Sequence, residues 1–125
     1  MAAGSIDGLA GVLIWTEAAR FPAMARFYRD TLGLTARSSK SDFLNFDWRG
    51  VRLSVGVHDG VRGTSPEPLR IMLNLNVADI HAAHERLTGA GVAFSREPAR
   101  EEWGGWVATF ADPDGNILQL MQLPG

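Results

Sequence analysis

The chain contains no cysteine among its 125 residues. Disulfide bonds, zinc–thiolate sites and thiol nucleophiles are therefore excluded, because each of them needs a cysteine sulfur. A chain without cysteine is compatible with a reducing compartment, and we expect a cytoplasmic location.

The sequence also lacks a strong charge of either sign and a long hydrophobic run. Its formal net charge is −2, so it has no basic field to attract phosphates, and we expect no nucleic-acid partner. No apolar run approaches the ~20 residues that a membrane-spanning helix needs. Residues 1–8 have neither the basic nor the apolar region of a signal peptide, so no membrane association is expected.

What the sequence does contain is a pattern of elements that occurs twice. The first half predicts a strand at Leu9–Thr16 and a helix that begins at Pro22 and ends at Gly33. Three more strands are predicted at Leu34–Ser38, Phe43–Trp48 and Val51–Val57, and a two-residue Arg49-Gly50 turn joins the last two.

A linker rich in Gly, Pro and Ser, Asp59–Pro68, separates this half from the second. The second half predicts a strand at Arg70–Val77, followed by a helix that has Asp79 as its N-cap and ends between Gly89 and Gly91. Three more strands are predicted at Val92–Arg96, Trp103–Phe110 and Ile117–Leu123. We therefore predict one α+β domain over residues 1–125. It is built from two β-α-β-β-β modules, module one over about 9–58 and module two over about 69–123, with a linker at 59–68.

The most informative segment is Phe110–Leu120, which reads as a strand, a tight turn and another strand. Pro113 fixes φ in the turn, and Gly115-Asn116 tolerates positive φ. This segment resembles the closing hairpin of the vicinal oxygen chelate superfamily, which includes glyoxalases, bleomycin-resistance proteins and extradiol dioxygenases. The same resemblance extends over nearly the whole chain through Phe27–Leu34, Val77–Ile80 and Trp103–Trp106.

The resemblance implies paired modules whose curved sheet surrounds a cleft, and a homodimer in which two chains often share that cleft. In metal-using relatives the cleft holds a divalent ion. Carried over by motif, the four ligand positions are Gly11, Ser54, Met72 and Gln119. None supplies the imidazole or carboxylate that such ions prefer, so we predict no metal and no other cofactor.

Strand alternation divides the residues of the four strands that carry these positions into two faces. One face is aliphatic, and we expect Leu73, Leu75, Val77, Leu118 and Leu120 to pack against the helices. The other face is mixed and should line the cleft. The predicted ligand-binding residues are Trp15, Arg52, Ser54, Met72, Asn74, Asn76, Trp103, Trp106, Gln119 and Met121.

Histidine supplies the only evident acid/base group. His58 is the one histidine predicted on the mixed face, and it is a weak candidate for catalysis. His81 and His84 form an H-x-x-H-E pattern with Glu85, but the helix also carries an apolar stripe. We interpret these histidines as residues of an outer helix face and not as metal ligands.

Two functions from different classes follow. The first is a metal-free protein that binds a polar-aromatic small molecule, with a possible role in sequestration or resistance. The second is an enzyme, either a glyoxalase-like lyase or dioxygenase with ligands from other positions such as Glu101, Glu102 or a partner chain, or a metal-free acid/base catalyst. A third possibility is a degenerate domain that serves as a partner module, and the fold alone does not decide among them.

Overall fold

The computed structural model describes residues 3–125, which form two four-stranded sheets and two main helices. Module one contains β1 (Gly11–Thr16), α1 (Phe21–Ala25), β2 (Ser38–Ser39), β3 (Phe43–Trp48) and β4 (Val51–Val57). Module two contains β5 (Met72–Asn76), α2 (Ile80–Gly89), β6 (Phe94–Arg100), β7 (Trp106–Ala111) and β8 (Ile117–Gln122). A π-helical segment, Arg26–Thr31, continues α1.

The two sheets have the same topology. The strand orders are β1-β4-β3-β2 and β5-β8-β7-β6. In each sheet the first strand pairs in parallel with the fourth, and the remaining pairs are antiparallel. The predicted α+β fold of two β-α-β-β-β modules is therefore confirmed.

The first helix begins at Phe21, one residue before the predicted start, and widens into a π-helix. The amide of Leu32 bonds the carbonyl of Phe27 at 2.8 Å, and Gly33 follows with a φ of 74°, as a helix C-terminus often requires. The strand predicted at Leu34–Ser38 is largely wrong. Only Ser38–Ser39 pairs with β3, because the residues before it leave the helix as irregular backbone.

In module two the predicted N-cap is confirmed, since the Asp79 carboxylate accepts a bond from the Ala82 amide at 3.0 Å. Strand β7 begins at Trp106 and not at the predicted Trp103, because Glu101–Gly105 forms a turn. None of the helices in residues 3–125 has the length and apolar character needed to cross a membrane.

A single core joins the two modules. It includes Met24 and Tyr28 of the first helix, Ile80 and Leu87 of α2, and buried residues of both sheets, among them Leu44, Val55, Phe110, Leu118 and Leu120. Leu73, Leu75 and Val77 pack against the same core. The aliphatic faces therefore face the helices, as predicted, and the mixed faces lie on the other side of each sheet.

The closing turn ties module two to module one. The Tyr28 hydroxyl donates to Asp112 Oδ2 at 2.6 Å, and the Thr16 hydroxyl donates to Asp114 Oδ2 at 2.6 Å. Arg20 Nε donates to the other oxygen of Asp114 at 2.6 Å. Both aspartates are buried, so this turn is a structural junction between the modules as well as a connection between two strands.

Burial perturbs the ionisable groups of this junction. It raises the pKa of Asp112, and the hydrogen bonds from Tyr28, Asn116 and the Asp114 amide oppose that shift without cancelling it. The pKa of Tyr28 is raised above its usual range by burial first and by the neighbouring Asp112 charge second. Both groups hold a proton more tightly than they would in water.

Candidate functional site

Three aromatic rings gather on the mixed face of the first sheet. The Trp15 ring lies 6.5 Å from that of Phe43 and 5.2 Å from that of His58, both edge to face. Gly56 of β4 pairs with Trp15 of β1 on one side and with Phe43 of β3 on the other. A Cβ added at Gly56 would meet Phe43 at 2.6 Å and Trp15 at 2.9 Å. The missing side chain of Gly56 therefore makes room for the two rings to meet over β4. We call Trp15, Phe43 and His58 the aromatic cluster.

A polar pair adjoins the aromatic cluster. Asn45 Nδ2 donates to Ser54 Oγ at 3.0 Å, and Ser54 is buried. Asn45 Oδ1 is buried and has no hydrogen-bond partner within residues 3–125. A buried carbonyl oxygen without a partner is costly, so this position favours a donor from water or from a bound molecule.

A hydrogen bond to the His58 ring defines which of its two nitrogens carries the proton in the neutral form. Its Nδ1 accepts a bond from the Gly60 amide at 2.9 Å, so the neutral ring carries its proton on Nε2. The ring is exposed beside Trp15. His58 could therefore donate a hydrogen bond from Nε2 to a molecule that lies against the aromatic cluster.

The second sheet presents amides at the matching strands. Gln119 of β8 pairs with Asn74 of β5 on one side and with Thr109 of β7 on the other. Its Nε2 donates to Thr109 Oγ1 at 3.1 Å. The side-chain carbonyl of Gln119 remains as an acceptor. Asn74 and Asn76 are exposed, and Asn76 pairs with Met121 in the register. The strand register places Asn74, Asn76 and Gln119 on one face of the sheet, as the sequence predicts.

Two predicted tryptophans occupy different places. Trp106 lies on the helix side of β7, where it packs against the core and its ring is 4.9 Å from that of His81. Its predicted position on the cleft face is therefore wrong, because it shares a face with the buried Ala108 and Phe110. Trp103 lies in the turn before β7 with half of its surface exposed, and its ring covers Gly105.

The histidines of α2 are separate from the mixed faces. His81 contacts Trp106, and the His84 ring lies 4.5 Å from that of Phe94. Within residues 3–125 no three His, Asp or Glu side chains converge into a group that could hold a metal ion. The sequence interpretation of these two histidines as helix-face residues agrees with these contacts.

Comparison with known proteins identifies the family. The model of the Glyoxalase/Bleomycin resistance protein/Dioxygenase superfamily matches residues 18–120. The chain belongs to this superfamily.

Similar proteins agree with that assignment. The chain is 26% identical over 115 residues to the uncharacterized protein YraH of Bacillus subtilis (strain 168), covering 82% of this chain and 90% of that protein. A glyoxalase-related enzyme from Fulvimarina pelagi has a TM-score of 0.72 at 23% identity, with 94% of this chain and 88% of that one covered. A superfamily member from Sphaerobacter thermophilus has a TM-score of 0.68 at 23% identity, with 94% and 98% covered. Likeness at this identity shows a common fold.

The residues at the superfamily's metal positions do not fit a divalent ion. Ser54 and Gln119 are neutral and already bond to Asn45 and Thr109, and Met72 offers only a thioether. Gly11 has no side chain, and a Cβ added there would overlap the backbone carbonyl of Arg52. Hard divalent ions prefer carboxylates or imidazoles, and no anion is present here to balance the charge. A histidine introduced at Gly11 would meet the same steric obstacle.

The open cavity between the sheets uses only part of the predicted set. Its volume is about 670 Å³, and of the ten predicted ligand-binding residues it contacts Arg52, Met72, Asn74 and Asn76. Its other walls are mainly aliphatic side chains from the helix side of both sheets. The aromatic cluster, Ser54 and Gln119 lie outside this cavity, on sheet faces that remain partly open in the single chain.

Sequence reasoning missed three residues of the mixed faces, namely Phe43, Asn45 and Thr109. All three lie on β3 or β7, the strands to which no face was assigned. The alternation Phe43, Asn45, Asp47 beside the turn at Arg49-Gly50 would have placed Asn45 opposite Ser54. The signal was therefore present in the hairpin register.

Proposed function

We propose that this chain is a metal-free small-molecule-binding protein that holds a planar, partly aromatic ligand against the aromatic cluster. The observation that carries the proposal is the meeting of Trp15 and Phe43 over Gly56, beside the Ser54–Asn45 pair. Stacked rings supply affinity, and neutral polar groups orient the ligand. A role in sequestration or resistance fits such a site, because it requires tight binding and no catalytic group.

A second copy of the chain would complete this site. Leu13 is 46% exposed and Trp15 is 39% exposed on the mixed face, although ligand sites normally bury most of the ligand surface. A homodimer that sets the second sheet of one chain over the first sheet of the other would cover both residues. It would also bring Gln119 of one chain toward the aromatic cluster of the other. A cytoplasmic location also stays a prediction.

An enzyme is the second candidate, and His58 is the observation that favours it. Its Nε2 proton lies on the other side of the ring from the Gly60 contact, where it can be donated to a bound molecule. A metal-dependent lyase or dioxygenase is less well supported, because Glu101, one of the alternative ligands, forms an ion pair with Arg96 at 2.6 Å.

The test of binding is a screen of planar aromatic compounds by tryptophan fluorescence, followed by calorimetry on each hit. Trp15→Ala should weaken a hit roughly tenfold or more, since stacking adds about 0.5–1.5 kcal/mol to the burial of ring surface. Gln119→Leu should also weaken it, while His81→Ala should leave the affinity unchanged. Calorimetry is needed for this control because His81 contacts Trp106 and its loss changes the emission. A hit that binds equally to wild type and Trp15→Ala contradicts the proposed site.

Metal content tests the metal-dependent form of the enzyme candidate. Protein purified without chelators should carry well below one divalent ion per chain when measured by plasma mass spectrometry. About one equivalent of Fe, Mn, Ni, Co or Zn that survives dialysis would favour the metal-dependent enzyme, with ligands from positions other than the four named above.

A further inference from the structure

The open cavity between the two sheets has the size and walls of a second binding site. Its volume of about 670 Å³ falls within the ~300–1,000 Å³ of typical ligand pockets. Aliphatic side chains from three directions form its walls, with Leu53 from the first sheet, Leu73 and Leu75 from the second, and Ala83 and Leu87 from α2. Arg52, Met72, Asn74 and Asn76 of the mixed faces also border the cavity, but its lining does not include Trp15, Phe43 or His58. The cavity is therefore distinct from the aromatic cluster.

The charged residues on the cavity wall have one sign. Arg52 and Arg86 line it, and no Asp or Glu does so. Arg52 has a carboxylate neighbour outside the cavity, Asp47, at 3.9 Å. Within residues 3–125, no carboxylate lies within 4.0 Å of the Arg86 guanidinium.

Arg86 is held in place by backbone carbonyls. Its two terminal nitrogens donate to the carbonyls of Thr31 at 3.3 Å and Leu32 at 2.9 Å, at the end of the π-helix. These contacts account for the position of the guanidinium, but carbonyl dipoles only partly offset a full charge. Arginine has five N–H donors, so donors remain for another acceptor. Arg86 is an exposed residue whose guanidinium lies beside the apolar cavity, where it can pair with an anion that has an apolar body.

We propose that this cavity binds an amphiphilic monocarboxylate, with the apolar body between the sheets and the carboxylate at Arg86. The occupant is a small molecule of the medium-chain fatty acid type. A neutral or cationic molecule of the same shape lacks the ion pair and should bind more weakly.

The experiment titrates the full-length protein by calorimetry with decanoate, decanol and decylamine. Decanoate should bind roughly tenfold or more tightly than either of the other two, because only it pairs with the arginine. Equal affinity for decanoate and decylamine would overturn the proposal. So would failure of all three to bind, which is the result expected if a second copy of the chain fills the cavity.

Two alanines of α2 give a matched pair of variants. Ala83 lines the cavity and Ala82 is exposed on the same helix. Ala83→Leu fills part of the space and should weaken decanoate roughly tenfold or more, whereas Ala82→Leu should leave its affinity unchanged. Equal effects of the two changes would contradict the assignment of the cavity.

Two further variants separate charge from volume and this site from the aromatic cluster. Arg86→Gln should reduce the preference for decanoate over decanol. The measured quantity is the ratio of the two dissociation constants of this variant, because a loss of stability would affect both of them alike. Trp15→Ala should leave decanoate binding unchanged. If Trp15→Ala weakens decanoate as much as Ala83→Leu does, the two sites are one and the proposal of a separate site fails.

Discussion

The Tyr28 hydroxyl is the most direct test of how the modules are held together. It donates to Asp112 Oδ2 across 84 sequence positions, and both groups are buried. Tyr28→Phe keeps the ring in the core, including its edge contact with Phe27 at 5.4 Å, and removes only the hydrogen bond. The change therefore isolates one link between the first helix and the closing turn.

The expected loss of stability follows from the charge on Asp112. A hydrogen bond to a charged group contributes about 1.5–3 kcal/mol. Asp112 keeps its bonds from the Asp114 amide and from the two nitrogens of Asn116, so no oxygen is left without a donor. For a chain of this length we expect the melting temperature to fall by about 4 °C per kcal/mol, or roughly 6–12 °C at neutral pH.

The effect should depend on pH in a defined direction. Burial raises the pKa of Asp112 above its ordinary 3.8, so its protonated form is relatively favoured in the folded state. The contribution of Asp112 to stability therefore falls as pH rises through the folded pKa. The Tyr28 bond opposes that fall because it stabilises the ionised form. The difference between wild type and Tyr28→Phe is then full above the folded pKa and shrinks as pH falls through it.

The assay is thermal unfolding followed by circular dichroism over a pH series from about 8 down to about 4. Ser95→Ala is the control, since it removes an exposed hydroxyl that bonds a carbonyl at 3.3 Å and should change stability by less than about 0.5 kcal/mol. A loss for Tyr28→Phe as small as that of the control would refute the reasoning. A large loss that does not change with pH would refute the role given to the charge of Asp112.

Two further predictions concern Tyr28 and Gly56. Tyr28 is the only tyrosine in the chain and its pKa is raised, so tyrosinate absorbance should appear only as the protein unfolds, and stability should fall by about 1.4 kcal/mol per pH unit above pH ~10. Tyrosinate absorbance that rises near pH 10 while circular dichroism stays native would contradict this. Gly56→Ala should destabilise by about 1–3 kcal/mol in denaturant titrations, because its methyl group would meet the rings of Phe43 and Trp15. Gly89→Ala in α2, where a Cβ meets nothing within 4 Å, should instead be neutral or slightly stabilising, and equal losses for both changes would contradict the tight approach at Gly56.

The fold could be predicted because its local signals agree with one another. Apolar alternation, a helix cap at Asp79 and the two-residue turn at Arg49-Gly50 all indicate the same order of elements, and both turn residues have positive φ. Element boundaries agree less well with the sequence pattern. Residues 34–37, which follow the π-helical segment Arg26–Thr31, are irregular where a strand is predicted, and no sequence pattern indicates that difference.

The site could be predicted only in part, because alternation assigns faces within a strand but not across a break. The sequence predicts Trp106 on the cleft face together with Trp103, although a turn at Glu101–Gly105 separates them. Trp106 instead shares the helix face of β7 with Ala108. The division between the aromatic cluster and the cavity at Arg86 depends on how the two sheets pack, which is a long-range property that no local pattern encodes.

The closing turn explains why the family was easy to recognise while the chemistry was not. Asp112 organises the turn through the amides of Asp114 and Asn116, and Asp114 binds Thr16 and Arg20 of module one. These bonds hold the modules together. The same segment carries Gln119 on the mixed face, three positions after Asn116, where metal-using relatives carry a glutamate. A match to the turn therefore predicts the fold, because the two aspartates of the turn bond to groups of the protein itself. Whether a metal could bind depends instead on the amide of Gln119 and on its partners on the neighbouring strands.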